Sequence, residues 1–313
     1  MVDKYPPLPQ LRDVDLRLLR VFMAVVRNRG FSAAQSELNT NQSTISAQMS
    51  QLEHRLKMTL CHRGRSGFRL TPEGEHVYET AQKMFRAIEQ FRRDIASTRG
   101  RLTGELHVGT VDAVVTNDNL ALHETIARFG EIASDVELHV HVRSPQTLLR
   151  NLLEERIHVA IAPFTSVPAS IRMEKLHTET QVLYCSRNHE FFWIPDADIS
   201  DEMLANAPYA ARNYLQNWSP PALPHFLTLA VTGDMEAMAM FILSGRYLGY
   251  LPRHYAQQWV RSGDIRPLFE NELSYRSQFC IAAKNDEKNI TALEFFNQFT
   301  KQTQDKRSVK NAS

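Results

Sequence analysis

Apolar residues between positions 16 and 71 recur at helical spacing, which predicts a compact group of helices. In the third helix, Ile45, Met49, Leu52 and Leu56 are four, three and four residues apart, so they share one buried side. The opposite side carries short uncharged side chains instead of the Lys and Glu that fill a solvated helix. This composition suits a helix that lies closely against another surface.

Two further helices are predicted before this one. Asp15 is placed to cap the first helix, and Ser32 with Gln35 forms a capping-box pattern for a short second helix. A turn at residues 39–41, Asn-Thr-Asn, joins the second helix to the third. Two helices that meet through such a corner form a helix-turn-helix, whose second helix enters the major groove of DNA.

The third helix and the segment after it carry candidate DNA contacts. Gln bonds bidentately to adenine and Ser bonds to several base edges. Residues 54–72 hold five basic residues and no acidic one, and the Gly-turned hairpin at 61–71 predicts a wing that contacts phosphates or the minor groove. Glu53 is interpreted as a partner for nearby Arg side chains. The candidate DNA contacts are Gln42, Ser43, Thr44, Ser46, Ala47, Ser50, Arg63, Arg65 and Arg69.

Several motifs in this region occur in a fixed order. They are Leu19-Arg20-Val21-Phe22, Gly30-Phe31-Ser32-Ala33-Ala34, Gln42-Ser43, Ile45-Ser46, Leu52-Glu53-His54-Arg55-Leu56, Arg63-Gly64-Arg65 and Leu70-Thr71-Pro72-Glu73-Gly74. Over some sixty residues they resemble the winged helix-turn-helix domain of LysR-type transcriptional regulators. The chain departs from that family at two positions. The family often carries a basic residue where this chain has Ala47, and it usually carries a Phe where this chain has Cys61. Because Ala47 cannot make the DNA contact of a basic residue, the resemblance does not indicate which operator sequence this chain binds.

The composition is that of a globular protein. The basic and acidic residues are distributed unevenly along the chain. Residues 1–100 hold 16 basic and 10 acidic residues, whereas the remainder hold 20 and 25, so only the first third suits a polyanion. The three Cys residues are far apart, which predicts neither disulfides nor a zinc site. The polar start is not a signal peptide, and no apolar run has the roughly 20 residues that span a bilayer. We expect a soluble cytoplasmic protein with no cofactor and no membrane partner.

A long helix is predicted after the wing. Val77, Ala81, Met84, Ile88, Phe91 and Ile95 follow a four-three spacing, which is the seam of a coiled coil. The seam packs either on the same subunit or on a second copy of the chain, and the second interpretation is favoured because the other faces are charged. The resemblance implies the same, since this linker helix pairs two subunits in the family. A dimer would place two recognition helices on one face of DNA; a tetramer is implied by the family alone.

Beyond Gly104 the pattern alternates between strands and helices. It predicts strands at 105–109, 136–143 and 157–162, with helices at 118–129 and 145–156 between them, which is half of an open α/β domain. A second unit has strands at 181–185, 227–231 and 278–283, a turn and strand at 245–252, and helices at 201–205 and 234–244. Residues 191–224 of this unit are predicted to be mostly a connecting loop. A final helix has the apolar residues Leu293, Phe295, Phe296 and Phe299. Two lobes in series predict a cleft between them.

This region also resembles the LysR family's effector-binding domain, which has the two-lobed α/β fold of periplasmic type 2 solute-binding proteins. The expected segments are a disordered N-terminus at 1–13, the DNA-binding domain at 14–73, the linker helix at 74–100, the effector domain at 101–304 and a tail at 305–313. Within the effector domain, lobe I comprises about 101–163 and 277–304, and lobe II about 164–276.

The resemblance implies a set of cleft residues that would hold a small-molecule effector. They are Thr110, Asp112, Ser144, Gln146, Pro163, Phe164, Arg212 and Asn213. Each has a structural alternative, because Thr110, Ser144 and Gln146 can cap helices and Arg212 can be a solvated charge. If Arg212 and a helix N-terminus both point inward, a carboxylate ligand is favoured. Asp112 argues against an anionic ligand.

No catalytic motif is evident, so we expect no enzymatic activity. His139 and His141 share a strand face, but with no third ligand nearby a partly exposed pair is the favoured interpretation over a metal site. The sequence predicts a regulator that binds promoter DNA and changes its grip when an unknown ligand enters the cleft. The alternatives are an enzyme or solute-binding cleft with secondary DNA binding, and an architectural DNA-binding protein. The target genes, the effector and the sign of regulation are not defined by the sequence.

Overall fold

A computed structural model describes residue 10 and residues 12–62, 67–97, 102–213 and 226–312 of the chain. The chain divides into two compact units, residues 1–92 and 93–313. Among the described residues, none of the helices is both long enough and apolar enough to cross a membrane. Most of the predicted disordered N-terminus, residues 1–9 and 11, lies outside the described part.

The first unit is helical with one small hairpin. Its elements are α1 (Asp13–Arg27), α2 (Gln35–Leu38), α3 (Gln42–Leu56), β1 (Cys61–His62), β2 (Arg69–Leu70) and α4 (Pro72–Ser97), the last continuing beyond the unit. The predicted helix-turn-helix and hairpin are present, and β1 pairs antiparallel with β2 through Cys61 and Leu70. Ile45, Met49 and Leu52 of α3 are fully buried, as their spacing predicts, and pack in one apolar core with α1.

Two details at the helix ends differ from the prediction. Asp15 does not precede α1 but lies in its first turn, where its carboxylate accepts a hydrogen bond from the Arg12 amide. The second helix begins at Gln35 and not at Ser32, and the Gln35 side-chain Nε2 donates back to the Ser32 carbonyl and hydroxyl. The corner itself is as predicted, with Asn39 in the left-handed conformation and Asn41 capping α3.

The predicted seam of α4 is divided between two environments. Val77, Tyr78, Ala81, Met84 and Phe85 pack against the core of their own unit. Farther along the helix, Phe91 is 65% exposed and Ile95 is 50% exposed. The first half of the helix therefore packs on its own subunit, and only the second half presents large apolar side chains to solvent.

The second unit is built on one mixed sheet. Its strands are β3 (Thr103–Thr110), β4 (Asp135–Val142), β5 (Val159–Ala162), β6 (Ile171–Ser186), β7 (Pro208–Arg212), β8 (Leu227–Thr232), β9 (Leu248–Pro252), β10 (Ile265–Leu268) and β11 (Tyr275–Lys284). The order is β4-β3-β5-β11-β6-β9-β7-β8, with β10 also paired to β6. Strands β3, β4 and β5 are parallel, whereas β11 and β6 run antiparallel to their neighbours.

Helices cover this sheet in two groups. They are α5 (Leu122–Ile132), α6 (Pro145–Leu153), α7 (Asp201–Asn206), α8 (Met235–Leu243), α9 (Arg253–Ser262) and α10 (Ile290–Ala312), with single 3-10 turns at Val114–Thr116, Glu190–Trp193 and Asp196–Asp198. One apolar core joins α5, α6 and α10 to strands β3, β5 and β11, while two smaller cores surround β6, β9 and α8. This separation gives the two lobes that the sequence predicts.

The long strands β6 and β11 connect the lobes. They pair along most of their length, from Tyr275 opposite Gln181 to Lys284 opposite Ile171. The sequence pattern predicts only the last part of β6 and does not predict β7, α9 or β10, whose apolar positions are few or interrupted. Helix α5 begins at Leu122, four residues later than predicted, because the Asn117 side chain accepts from the amides of residues 119 and 120 and forms a turn there. Helix α10 continues to Ala312, through the segment expected to be a tail.

Candidate DNA-binding face and effector cleft

The outer side of α3 carries the predicted base-reading residues. Gln42, Ser43, Thr44, Ala47 and Ser50 are exposed, whereas Ser46 is half-buried. The side opposite to them is the fully buried apolar row that includes Ile45. The polar residues are therefore presented on a helix whose position is fixed by packing.

The N-terminal cap of α3 orients two of these side chains. The Asn41 carboxamide oxygen accepts from the Thr44 amide at 2.9 Å, from the Ser43 hydroxyl at 2.7 Å and from the Thr44 hydroxyl at 2.8 Å. Because both hydroxyl hydrogens point to Asn41, the two oxygens present lone pairs outward. Both oxygens can therefore accept a further hydrogen bond.

An ion pair and a side-chain bridge hold α3 against the neighbouring helices. Arg55 donates through Nε and Nη2 to the buried carboxylate of Asp15, the Nη2 contact being 2.7 Å. This hydrogen bond lowers the pKa of Asp15, although burial opposes the shift. Gln35 accepts from the Gln42 amide at 3.2 Å. Arg55, one of the five basic residues of the 54–72 segment, thus serves the fold of the domain.

Glu53 anchors the wing, and in the part of the chain that the structure describes its carboxylate bonds to backbone amides and not to an Arg side chain. Glu53 Oε1 accepts from the Leu60 amide at 2.8 Å and the Cys61 amide at 3.4 Å. It fixes the start of β1 to the end of α3. Arg69 is exposed on β2, as a phosphate contact requires. Arg63 and Arg65 lie outside the described residues.

A cleft of about 450 Å³ lies between the lobes of the second unit. Five of the eight predicted effector residues line it, namely Asp112, Gln146, Pro163, Phe164 and Arg212. The N-terminal end of α6 contributes Pro145 and Gln146, and the end of β7 contributes Arg212. A helix N-terminus and an Arg side chain therefore both face the cleft, which favours an anionic ligand group.

Three predicted residues do not line this cleft. Thr110 is buried at the end of β3, where its carbonyl accepts from the Arg143 amide. Ser144 caps α6 by accepting from the Thr147 amide at 3.4 Å, and it borders a smaller cavity of about 250 Å³. Asn213 is exposed and lies beside Gly233. For Ser144 the structural alternative of a helix cap is the one observed.

A buried polar network forms one wall of the cleft. Glu179 accepts from Asn117 at 3.2 Å and from Gln181 at 2.5 Å, and it lies 2.6 Å from His254 Nε2. Gln181 accepts from Arg212 Nη2 at 2.9 Å. Glu179, Gln181 and Arg212 are each less than 9% exposed. The Arg212 guanidinium is thus held in place by the strands and is not a solvated surface charge.

Other contacts of this cleft join one lobe to the other. Asp112, after β3, accepts from the Met235 amide at the start of α8. Burial raises the pKa of Asp112, although the Met235 amide and Arg212 oppose the shift. The Thr116 hydroxyl lies 2.8 Å from His254 Nδ1 at the start of α9. These bonds link lobe I to lobe II.

The long strands add cleft residues that the sequence does not predict. Lys175, Glu179 and Gln181 come from β6, and Arg276 and Gln278 come from β11. Lys175, Glu179 and Arg276 were missed because the prediction starts β6 at Gln181 and β11 at Gln278, so the earlier residues of both strands were not assigned to the sheet. Gln181 and Gln278 were assigned to strands but not to the cleft. The pairing of β6 with β11 carries these residues to the cleft, and no short stretch of the sequence signals that pairing.

A histidine cluster lies on the edge strand β4 and its neighbour β3, and its members do not line the cleft. The prediction that no third ligand lies near His139 and His141 is wrong, because His107 of the neighbouring strand lies 3.0 Å from His141. One ligand atom each of Glu105, His107 and His139 lies within 4.8 Å of the others. The third ligand could not be found in the sequence because it depends on the register between two strands.

Comparisons with known proteins decide the family. The model for bacterial regulatory helix-turn-helix proteins of the lysR family matches residues 16–75, and the model for the LysR substrate binding domain matches residues 99–304. The chain belongs to the LysR family of transcriptional regulators. As a LysR-type regulator it has a DNA-binding domain followed by an effector-binding domain, as the sequence resemblance implies.

This LysR-type regulator has curated relatives across its length. It is 35% identical over 292 residues to the HTH-type transcriptional activator BauR of Pseudomonas aeruginosa, covering 93% of this chain and 96% of BauR. It is 26% identical over 249 residues to the regulator PunR of Escherichia coli K12, covering 78% and 79% of the two chains. Full-length CbnR in complex with its target DNA shares the fold with a TM-score of 0.66 and 18% identity, over 92% of this chain and 99% of CbnR.

Proposed function

We propose that this regulator reads promoter DNA with the outer side of α3 while the hairpin β1–β2 contacts the phosphate backbone. The observation that carries the proposal is the exposed polar side of α3, which lies opposite a fully buried apolar row and is oriented by Asn41. Backbone contacts supply affinity and side-chain contacts to base edges supply sequence discrimination. Because its target is chromosomal DNA, the protein acts in the cytoplasm.

Fluorescence anisotropy with the DNA upstream of the protein's own gene and its neighbour tests this proposal. Binding should exceed that of scrambled DNA by at least ~10³. Gln42→Ala should lower the affinity for the specific site by about 1–3 kcal/mol and leave binding to scrambled DNA unchanged. Gln257→Ala is the matched control, because Gln257 is an exposed Gln on helix α9 of the second unit. Equal discrimination in both variants would contradict base reading by Gln42.

We also propose that the cleft binds a small molecule bearing a carboxylate. Lys175, Arg212 and Arg276 line the cleft together with the N-terminal end of α6. Asp112 bonds to the Met235 amide at the start of α8, so it occupies a helix end that an anion would otherwise favour. A ligand carboxylate can then bind at Arg212 and the α6 end while Asp112 keeps the lobes joined.

A thermal-shift screen of small carboxylates and their amides tests this ligand class. A carboxylate that binds the folded state raises the melting temperature, and its amide should not. Arg212→Gln should abolish the shift, whereas Arg261→Gln, an exposed Arg on α9, should retain it. If amides bind as well as carboxylates, the cleft does not select a negative charge.

The effector would act by changing the arrangement of the lobes. A ligand shifts such an equilibrium only through different affinities for the two arrangements. The contacts Asp112 to Met235 and Thr116 to His254 exist only when the lobes are close, so a ligand that supports or breaks them changes the population. The DNA-binding units then change how they grip and bend the promoter.

We propose that the second half of α4 pairs with the same helix of a second copy. Phe91 continues the four-three seam of the helix and is 65% exposed. Phe91→Glu should convert a dimer to a monomer in sedimentation equilibrium, because it places a charge in the seam. Lys83→Glu, an exposed change off the seam, is the control and should leave the dimer intact. Assembly of such dimers into tetramers is proposed from the family resemblance alone.

A further inference from the structure

The register of β3 with β4 brings three His and two Glu side chains onto one face of the sheet. Glu105 lies opposite Glu137, His107 opposite His139, and Gly109 opposite His141 in the parallel pair. Side chains of alternate residues point to the same side of a strand. Three imidazoles and two carboxylates are therefore neighbours on this face, which is outside the cleft and outside the DNA-binding unit.

The distances within this group are short. The rings of His107 and His139 are stacked with centroids 4.4 Å apart. His107 Nδ1 lies 3.0 Å from His141 Nε2, and His107 Nε2 lies 3.1 Å from Glu105 Oε2. His139 Nε2 is 3.2 Å from Glu137 Oε1. Each His107 nitrogen thus faces a different neighbour.

One nitrogen of this group has no hydrogen bond. His139 Nε2 is shielded from solvent and, among the described residues, has no hydrogen-bond partner of acceptable geometry, despite its distance to Glu137. A polar atom in that state costs free energy unless something binds it. His141 Nε2 lies 3.0 Å from His107 Nδ1, so it is placed to accept a hydrogen bond from that nitrogen.

These positions match the requirements of a zinc site. Zinc bonds to His nitrogen and carboxylate oxygen at about 2.0–2.2 Å, so tetrahedral ligand atoms lie roughly 3.3 Å apart. The 3.1 Å between His107 Nε2 and Glu105 Oε2 is close to that separation. Ligand atoms of Glu105, His107 and His139 are already within 4.8 Å of one another, so small side-chain rotations would complete the set.

We propose that Glu105, His107 and His139 bind a divalent transition-metal ion of the Zn²⁺ type on the face of β3 and β4 that carries these three side chains. His107 binds through Nε2, and its Nδ1–H donates to His141 Nε2, which fixes the ring as a metal ligand requires. His141 is therefore a positioning residue. Glu137, beside His139, is placed to add a second carboxylate.

Isothermal titration of the full-length, untagged protein with Zn²⁺ tests the site, and Co²⁺ absorption reports its coordination. We expect one ion per chain at this site and a tetrahedral Co²⁺ spectrum. His107→Asn and His139→Asn should each weaken binding at least tenfold, and His141→Asn should weaken it by about 10–100-fold while a tetrahedral spectrum is retained. His123→Asn is the control, because His123 is exposed on α5 in the same unit.

Glu105→Gln is the second variant, for the case in which a histidine variant does not fold. Glu105 is exposed and Gln has the same shape, so this substitution should leave the fold intact. It should weaken binding and change the Co²⁺ spectrum through loss of a carboxylate ligand. Circular dichroism confirms that each variant is folded before titration. The proposal is overturned if neither ion binds, or if the Glu105, His107 and His139 variants bind as tightly as the His123 control.

Discussion

The two polar surfaces that serve function are built in opposite ways. On α3, short side chains such as Ser43 are exposed and bond only within one turn of their own helix. In the cleft, Glu179 and Arg212 are buried and bond to partners from other strands and helices. A surface for DNA must stay constant and accessible, whereas a surface that transmits a signal must connect parts that can move. The difference predicts that damage to each surface has separate consequences.

Glu179→Ala should give the largest loss of stability. It leaves Asn117, Gln181 and His254 without their shared acceptor in a buried site, which we expect to cost roughly 3 kcal/mol in the second unit. All three Trp residues, at positions 193, 218 and 259, lie in that unit, so fluorescence-detected urea unfolding measures it directly.

Glu174→Ala is the matched control for this loss. Glu174 lies on the same strand β6 but is exposed, so its replacement should change the free energy of unfolding by less than about 0.5 kcal/mol. Equal effects of the two substitutions would show that the Glu179 network does not stabilise the cleft.

Gly74→Ala should damage the other region. A Cβ at residue 74 would lie 1.9 Å from the Leu60 carbonyl oxygen, so the start of α4 or the strand β1 must shift. We expect a cost of about 1–3 kcal/mol in the first unit and weaker DNA binding. The Trp fluorescence transition of the second unit should be unchanged.

Gly130→Ala provides the control for that substitution. Gly130 lies within α5 and a Cβ there would contact nothing within 4 Å, so Ala should stabilise the helix by up to about 1 kcal/mol. If Gly74→Ala behaved like Gly130→Ala, the close approach of α4 to Leu60 would not matter for the domain.

The contrast between the α3 surface and the cleft also explains which features the sequence predicts. The α3 surface follows from local periodicity, so the helix and the corner before it lie where the sequence predicts them, and its candidate contacts are exposed except for the half-buried Ser46. The DNA contacts themselves stay a prediction. The cleft wall depends on strand pairing over long separations, and Glu179 meets Asn117 and His254 only after β6 is placed in the sheet. Asp112, Gln146 and Arg212 were found through the family resemblance, whereas Lys175 and Arg276 had no local signal.

The pKa shifts of two carboxyl groups give the smallest effect and the sharpest contrast. The pKa of Asp15 lies below its ordinary 3.8 because of Arg55, so its contribution to stability is present above about pH 4 and is lost as the pH falls through the folded-state pKa. The pKa of Asp112 is raised by burial. The folded state therefore holds that proton longer than the unfolded state, and stability falls as the pH rises from 3.8 through the raised pKa.

Asn substitutions separate these two opposite slopes. Asp112→Asn should remove the fall in stability of the second unit that accompanies a rise in pH, while the Asn side chain still accepts from the Met235 amide. Urea unfolding followed by Trp fluorescence from about pH 4 to about pH 7 measures this change. Asp15→Asn should remove the acid-dependent loss from the first unit, followed by circular dichroism. The exposed residues Asp118 and Asp13 supply the matched Asn controls, which should keep the parent slopes. A parent slope in Asp112→Asn would show that ionisation of this buried carboxyl does not lower the stability of the second unit, so burial would not be what sets its pKa apart from that of Asp15.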